Sequence, residues 1–261
     1  MNTINEFSKL HEQDNILHIG NVWDAHSALE FEKMDYRAIG TSSAAIADNL
    51  GYEDGEQMSY GELLNIVRDI LKKISIPLTV DIEGGFSRNA ENIVQNINQL
   101  SELGVVGINF EDSFVNDQGE RQIIDSSEFS NSIKSIKQEL TRNGNYIFMN
   151  VRTDFFLMGL DNSLEETIVR AKKYQESGAD GLFIPCVVNE SDIERLVESV
   201  SIPINIMAMP NLPSFSRLKE LGVKRLSSGP FIYQKYKKDH TSINEQLSAL
   251  EKKQSFSPLF E

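Results

Sequence analysis

Leu103-Gly-Val-Val-Gly-Ile-Asn-Phe-Glu-Asp112 decides the fold class. A glycine that can end a helix is followed by a run of apolar residues without polar alternation. Two carboxylates stand where the run gives out. Glycine just past a helix end takes the left-handed cap that other residues resist. A short run apolar on both faces suits a parallel strand covered on both sides. The same stop signal returns at Ser177-Gly-Ala179 and Leu221-Gly-Val223, and acids or an arginine close two further runs, at Asp81-Ile-Glu83 and Arg152-Thr-Asp154.

Working outward, the strand-like runs are Ile16–Gly20, Tyr36–Gly40, Leu78–Ile82, Val105–Phe110, Tyr146–Val151, Gly181–Pro185, Ile202–Met207 and Lys224–Ser227. Amphipathic stretches lie between them. Ser59-Tyr-Gly-Glu62 and Ser163-Leu-Glu-Glu166 have the spacing of capping boxes, and Pro213 and Pro230 suit first helical positions. Eight strand–helix units in 261 residues predict a (β/α)8 TIM-type barrel, one domain over residues 1–261, with a C-terminal helix and tail from about 230. A doubly wound open sheet would place a glycine-rich phosphate turn after the first strand, where Asn21-Val-Trp-Asp24 stands instead. Residues 47–58 and 113–126 read as long loops, the second as an active-site cover. A helix is expected to run to about Leu250; the terminal Pro258-Leu-Phe260 either docks on a partner subunit or frays.

The net charge of −14 argues against a nucleic-acid or anionic membrane partner. One cysteine, Cys186, excludes an internal disulfide and suits a buried thiol better than a nucleophile, since no histidine follows it closely. The apolar runs fall short of the ~20 residues that cross a bilayer. A cytoplasmic protein is expected.

Barrel chemistry sits at the C-terminal strand ends. Those ends carry Trp23 and Asp24, Ser42 and Ser43, Asp81 and Glu83, Glu111 and Asp112, Arg152 and Asp154, Cys186, Asn205 and Met207, and Ser227-Ser-Gly229, while Asp54 lies in the loop after the second strand. Asp81 and Glu83, two apart, face one side of an extended strand. Such a pair at the end of an apolar run calls for a cation, Mg2+ or Mn2+, or for an ion pair with a neighbouring strand. One of Glu111 and Asp112 is expected in the same site; the alternative, a helix cap, suits Asp112 better. Arg152 suits a bound anion or a salt bridge to Asp154 or Glu111. Thr41-Ser-Ser-Ala44 and Ser227-Ser-Gly229 are turns able to hold a carboxylate or phosphate, or plain caps.

Taken in order, Asn21-Val-Trp-Asp-Ala25, Gly40-Thr-Ser-Ser-Ala44, Leu50-Gly-Tyr-Glu-Asp54, Asp81-Ile-Glu-Gly-Gly-Phe86, Gly107-Ile-Asn-Phe-Glu-Asp112, Asn150-Val-Arg-Thr-Asp154 and Gly178-Ala-Asp-Gly-Leu-Phe-Ile-Pro185 give the chain a resemblance to the isocitrate lyase and phosphoenolpyruvate mutase superfamily. The resemblance spans about Asn21 to Tyr233. It implies a Mg2+-dependent site for small 2-oxo or enol acids, with Asp81, Glu83 and Glu111 as metal-shell acids. Asp54 is implied as the loop aspartate, Ser42, Ser43 and Ala44 as the substrate-carboxylate turn, and Arg152 as the substrate arginine. Trp23 and Asn205 complete the expected substrate contacts, and Arg152, Glu111 and Asp54 the catalytic set. A homo-oligomer, dimer or tetramer, is implied as well. The Lys-Lys/Arg-Cys-Gly-His loop of the isocitrate-type lyases is absent: Ser113-Phe-Val-Asn-Asp-Gln-Gly-Glu-Arg121 stands there, without the mutase lysine either. Many members have aspartate where Glu83 stands. The expected activity is C–C cleavage or decarboxylation beside a pyruvate unit. P–C chemistry (phosphonopyruvate hydrolysis or a mutase reaction) is the first alternative and a non-catalytic acid-binding barrel the second.

Overall fold

The computed structural model describes residues 4–116 and 118–261. In chain order, α1 (Ile4–His11) precedes β1 (Leu17–Val22) and α2 (Ala25–Lys33), and β2 (Ile39–Thr41) precedes α3 (Ser43–Leu50) and α4 (Tyr60–Leu71). Then come β3 (Leu78–Asp81), α5 (Ala90–Leu103), β4 (Gly107–Glu111), a hairpin of β5 (Ser113–Val115) and β6 (Arg121–Ile123), and α6 (Ser126–Arg142). The chain continues through β7 (Phe148–Arg152), α7 (Ser163–Glu176), β8 (Gly181–Ile184), α8 (Glu190–Ser199), β9 (Ile204–Met207), α9 (Phe215–Glu220) and β10 (Arg225–Ser227), and closes with α10 (Phe231–Asp239), α11 (Ile243–Lys253) and a final short turn of helix. Strands β1, β10, β9, β8, β7, β4, β3 and β2 pair in that order, all parallel, and close into the expected barrel.

Local sequence explains the elements. In α4 the Ser59 hydroxyl accepts from Glu62 N–H while the Glu62 carboxylate reaches back to Ser59 N–H, closing the capping box. Leu63, Leu64, Val67 and Ile70 then bury one face, each worth roughly 1.5–3 kcal/mol relative to exposure. Gly104, Gly178 and Gly222 all take positive φ where helices turn back to strands. Strand β1 lies tight under α2: a Cβ on Gly20 would collide with the Phe31 ring.

Four expectations are corrected. The second capping box does not form, because Ser163 is already helical behind Asn162 and its hydroxyl donates to the carbonyls of Phe155 and Leu160. Pro213 falls two places before the first helical position and Pro230 one, since Ser214 and Pro230 are themselves the N-caps. The first long loop starts later than expected: Ser42 caps α3, which runs on to Leu50, and Gly51 in the left-handed region ends it. The helix after Gly229 breaks at His240, and the tail folds onto its own chain, with Phe256 against Phe215 and Phe260 against Phe231.

The core lies between the barrel and its helices. A smaller cluster of Phe7, Leu10, Leu17, Ile19, Ala38, Val106 and Phe148, with α1 across it, plugs the N-terminal end. Above that plug the barrel interior is polar. Asn150 donates to Asn109 at 2.9 Å, Asn205 to Ser227 at 3.0 Å, and Arg225 to Asn109 at 3.4 Å. Burial pushes the Arg225 guanidinium down to about 9 against the pull of Asp81. No helix among the described residues is long and apolar enough to cross a membrane.

Candidate active site

Parallel register sets the site. Glu111 is paired with Arg152 across β4 and β7, and Asp81 with Asn109 across β3 and β4, so the three charged ends share the C-terminal mouth. All three acids expected there are buried: Asp81 is 8% exposed, Glu83 3% and Glu111 2%. Glu83 sits in the left-handed region, φ 49°, a conformation costing on the order of 1 kcal/mol for a side chain with a Cβ. Its carbonyl accepts from Glu111 N–H at 3.0 Å, which ties the bend to the next strand.

The acids fall into two groups. Glu111 and Asp154 are paired with guanidinium groups. Arg152 Nη1 lies 2.9 Å from Glu111 Oε2, and Arg152 grips Asp154 through Nε at 2.6 Å and Nη2 at 3.0 Å. Arg121, from β6, lies 2.6 Å from Glu111 Oε1 and 3.3 Å from Asp154 Oδ2. Ser113 Oγ donates into the same pair of acids. Asp81 and Glu83, by contrast, have only neutral partners among the described residues. Asp81 accepts from Ser43 Oγ at 3.1 Å and from Glu83 N–H at 3.3 Å, and Glu83 accepts from Glu56 N–H at 2.8 Å. Neither enters an ion pair among the described residues.

The electrostatics follow this division. Burial, then repulsion from Asp54, Glu111, Asp81 and Glu56, holds the Glu83 carboxyl well above the usual carboxylate range. Burial also raises Asp81, with Arg152 pulling the other way. Burial opposes the Arg152 charge, yet Glu111, Asp154 and Asp81 together hold it above its ordinary value.

Among the described residues no three Asp, Glu, His or Cys side chains converge as a ready set of metal ligands. Glu111 is engaged by two arginines. Asp81 and Glu83 still fit a hard divalent cation. They are buried, acidic, short of positive partners, and two in number, which suffices for an ion that keeps several waters.

The remaining candidates divide as follows. Asp54 is 44% exposed; it lies 3.5 Å from Arg121, and its charge acts on Asp81 and Glu83. Asp112 faces away from the mouth. Instead of capping a helix it accepts from Arg170, Tyr174 and Asp154 N–H, fixing α7 to the barrel. Ser42 and Ser43 with Ala44 form the start of α3, whose first N–H groups are those a helix leaves unpaired. The Trp23 ring packs on Tyr233 at 5.0 Å and Tyr236 at 5.6 Å, against α10. Asp24 caps α2. Asn205 lies deeper, level with Arg225 and Phe183. Met207 backs Gly229, where a Cβ would come within 2.7 Å of its sulfur. The Ser227-Ser-Gly229 turn is closed by Asn21, which accepts from Ser228 Oγ and Gly229 N–H. Burial pushes the Cys186 thiol up, which disfavours a thiolate. Arg121 and Ser113 were missed in sequence; the only signal was a short alternation, Arg121-Gln-Ile123, after an acid pair.

The barrel and much of its sequence are shared with known proteins. The profile of the family described as phosphoenolpyruvate phosphomutase matches residues 7–248. The chain belongs to that family. An uncharacterized Mycobacterium tuberculosis protein is 32% identical over 227 residues, covering 87% of this chain and 83% of the relative. The oxaloacetate decarboxylase of Pseudomonas entomophila is 26% identical over 231 residues, covering 87% and 78%. A Burkholderia cenocepacia crystal structure, provisionally described as a phosphonomutase, superposes with a TM-score of 0.84 at 32% identity, covering 97% of this chain and all of that one. The family contains lyases and mutases, so the fold and the enzyme class stand together.

Proposed function

We propose that the chain is a divalent-cation-dependent lyase, using Mg2+ or Mn2+, that cleaves or decarboxylates a small 2-oxo diacid beside its pyruvate unit. The observation that carries this is the pair Asp81 and Glu83: two buried carboxylates at the mouth, without an ion pair among the described residues, beside a guanidinium pair. Asp81, supported by Glu83, would hold the cation. When bound, the cation supplies Lewis-acid stabilisation of the negative charge that bond cleavage pushes onto the 2-oxo oxygen. Ser43 and Ala44, at the start of α3, offer N–H groups to a substrate carboxylate. Arg152 is fixed in place by Asp154 and Glu111, and the N–H groups these acids leave over would serve a substrate anion at reduced ordering cost. No side-chain nucleophile is required, consistent with the raised Cys186 thiol. A homo-oligomer and a cytoplasmic location accompany this reading.

P–C chemistry on a phosphonopyruvate-like acid is the second reading. It is favoured by the 32% identity to the Burkholderia structure, against 26% to the decarboxylase. One screen separates the two: Mg2+-dependent turnover of oxaloacetate, phosphonopyruvate, phosphoenolpyruvate and methylisocitrate-like acids, with pyruvate and phosphate release measured apart. Pyruvate without phosphate, abolished in Asp81→Ala while the variant keeps its circular dichroism, is the expected result. Phosphate release from phosphonopyruvate alone would move the assignment to P–C chemistry. Turnover that survives Asp81→Ala would remove the cation from Asp81.

A further inference from the structure

Glu111 is contested between two guanidinium groups of unequal rigidity. Arg152 belongs to the barrel itself, on β7, with its backbone in register with Glu111. Arg121 comes from the β5–β6 hairpin, a two-stranded excursion between β4 and α6 that pairs with no barrel strand. Arg121 Nη1 reaches Glu111 Oε1, Asp154 Oδ2 and Ser113 Oγ, and Nη2 faces Asp54. It is half-buried, whereas Glu111 and Asp154 are fully buried. One guanidinium fork thus faces three carboxylates, two of which already have a cation, Arg152, beside them.

This distribution leaves a mismatch. The acids that have cations, Glu111 and Asp154, have two between them, while Asp81 and Glu83 have none among the described residues. A divalent ion entering beside Asp81 and Glu83 would meet Arg121 on the neighbouring acid, and like charges in a mouth partly shielded from water repel strongly. An anionic substrate has the opposite effect, since Arg121 is a second fork beside Arg152 for its far anionic group.

Resting on the reading that Asp81 and Glu83 face a divalent cation, we propose that Arg121 is a resident counter-ion that competes with that cation for Glu111 and transfers to the substrate's second anionic group. The cation and a dianionic substrate then bind with positive coupling, because the substrate removes the charge that opposes the cation. The coupling is reciprocal. Arg121 is accordingly a specificity residue for dianions over simple 2-oxo monoacids.

The test is Mn2+ binding by calorimetry or electron paramagnetic resonance, at buffered free Mn2+, with and without oxalate as a dianionic probe. Arg121→Ala should bind Mn2+ alone about tenfold tighter than wild type and lose about tenfold of the affinity that oxalate adds. Arg121→Lys, which keeps the charge but not the fork, should lie between. Arg121→Gln covers the case in which the alanine variant fails to fold. Unchanged or weaker Mn2+ affinity in a folded Arg121 variant without the charge overturns the proposal, as does an undiminished oxalate effect. Asp81→Ala separates the two claims: wild-type Mn2+ affinity in that variant removes the cation from Asp81, while the Arg121 comparison is still read from its own variants. Failure of both wild type and Arg121→Ala to bind Mn2+ overturns both.

Discussion

At the scale of single residues, chemistry depends on which acids keep a cation and which do not. Arg152 illustrates the first case. Its fork donates to both oxygens of Asp154 and lies within ion-pair distance of Glu111, an arrangement that a lysine ammonium cannot reproduce. Arg152→Lys should therefore raise KM for the anionic substrate by about tenfold or more while leaving the barrel folded; steady-state kinetics with a normal KM would return Arg152 to a purely structural role. Asp81 and Glu83 illustrate the second. Sequence placed them at one strand end, and burial without a positive partner is what the fold added. Arg121 was legible only as a residue in a polar loop, because three-residue strands are too short for periodicity to show.

At the scale of elements, helix punctuation was the reliable signal. Gly104, Gly178 and Gly222 act locally, through the left-handed backbone they permit, so they could be read without tertiary knowledge. Strand ends shifted by up to three residues, as at Leu17–Val22 against the expected Ile16–Gly20 and Ile39–Thr41 against Tyr36–Gly40, since hydrogen bonding to neighbours sets where pairing stops. The β5–β6 hairpin and α1 went unread because both are short and owe their place to long-range packing. Contact between elements can also be tested at a glycine. Gly20→Ala pushes a methyl into the Phe31 ring and should separate β1 from α2 at a cost of roughly 1–3 kcal/mol. Urea denaturation measures it, and an unaltered midpoint would show that α2 shifts freely.

At the scale of the whole molecule, buried ionisable groups make stability depend on pH in opposing directions. Burial lowers His18, packed edge-on against Phe215, from 6.5 to about 4. The folded state therefore binds fewer protons than the unfolded one in that window. Its contribution, on the order of a few kcal/mol, is complete above pH 6.5 and is lost as pH falls toward 4. The mouth acids act with the other sign, because their raised values favour the fold as pH falls. The difference between wild type and His18→Phe isolates the histidine. Phe keeps the ring contact, so its Tm relative to wild type should rise between pH 7 and pH 4.5. A difference constant across that range would show that His18 is protonated in the fold.

The amino-acid sequence by itself determined the eight-fold strand–helix repeat, the end of the barrel that carries the acids, and the family, because turn chemistry and apolar runs act over a few residues. Only the tertiary structure decided that Glu111 is shared by two arginines while Asp81 and Glu83 go without, that Asp112 anchors α7, and that the C-terminal aromatics close on their own chain. Charge pairing depends on distances between segments far apart in sequence, and those distances are set when the barrel closes.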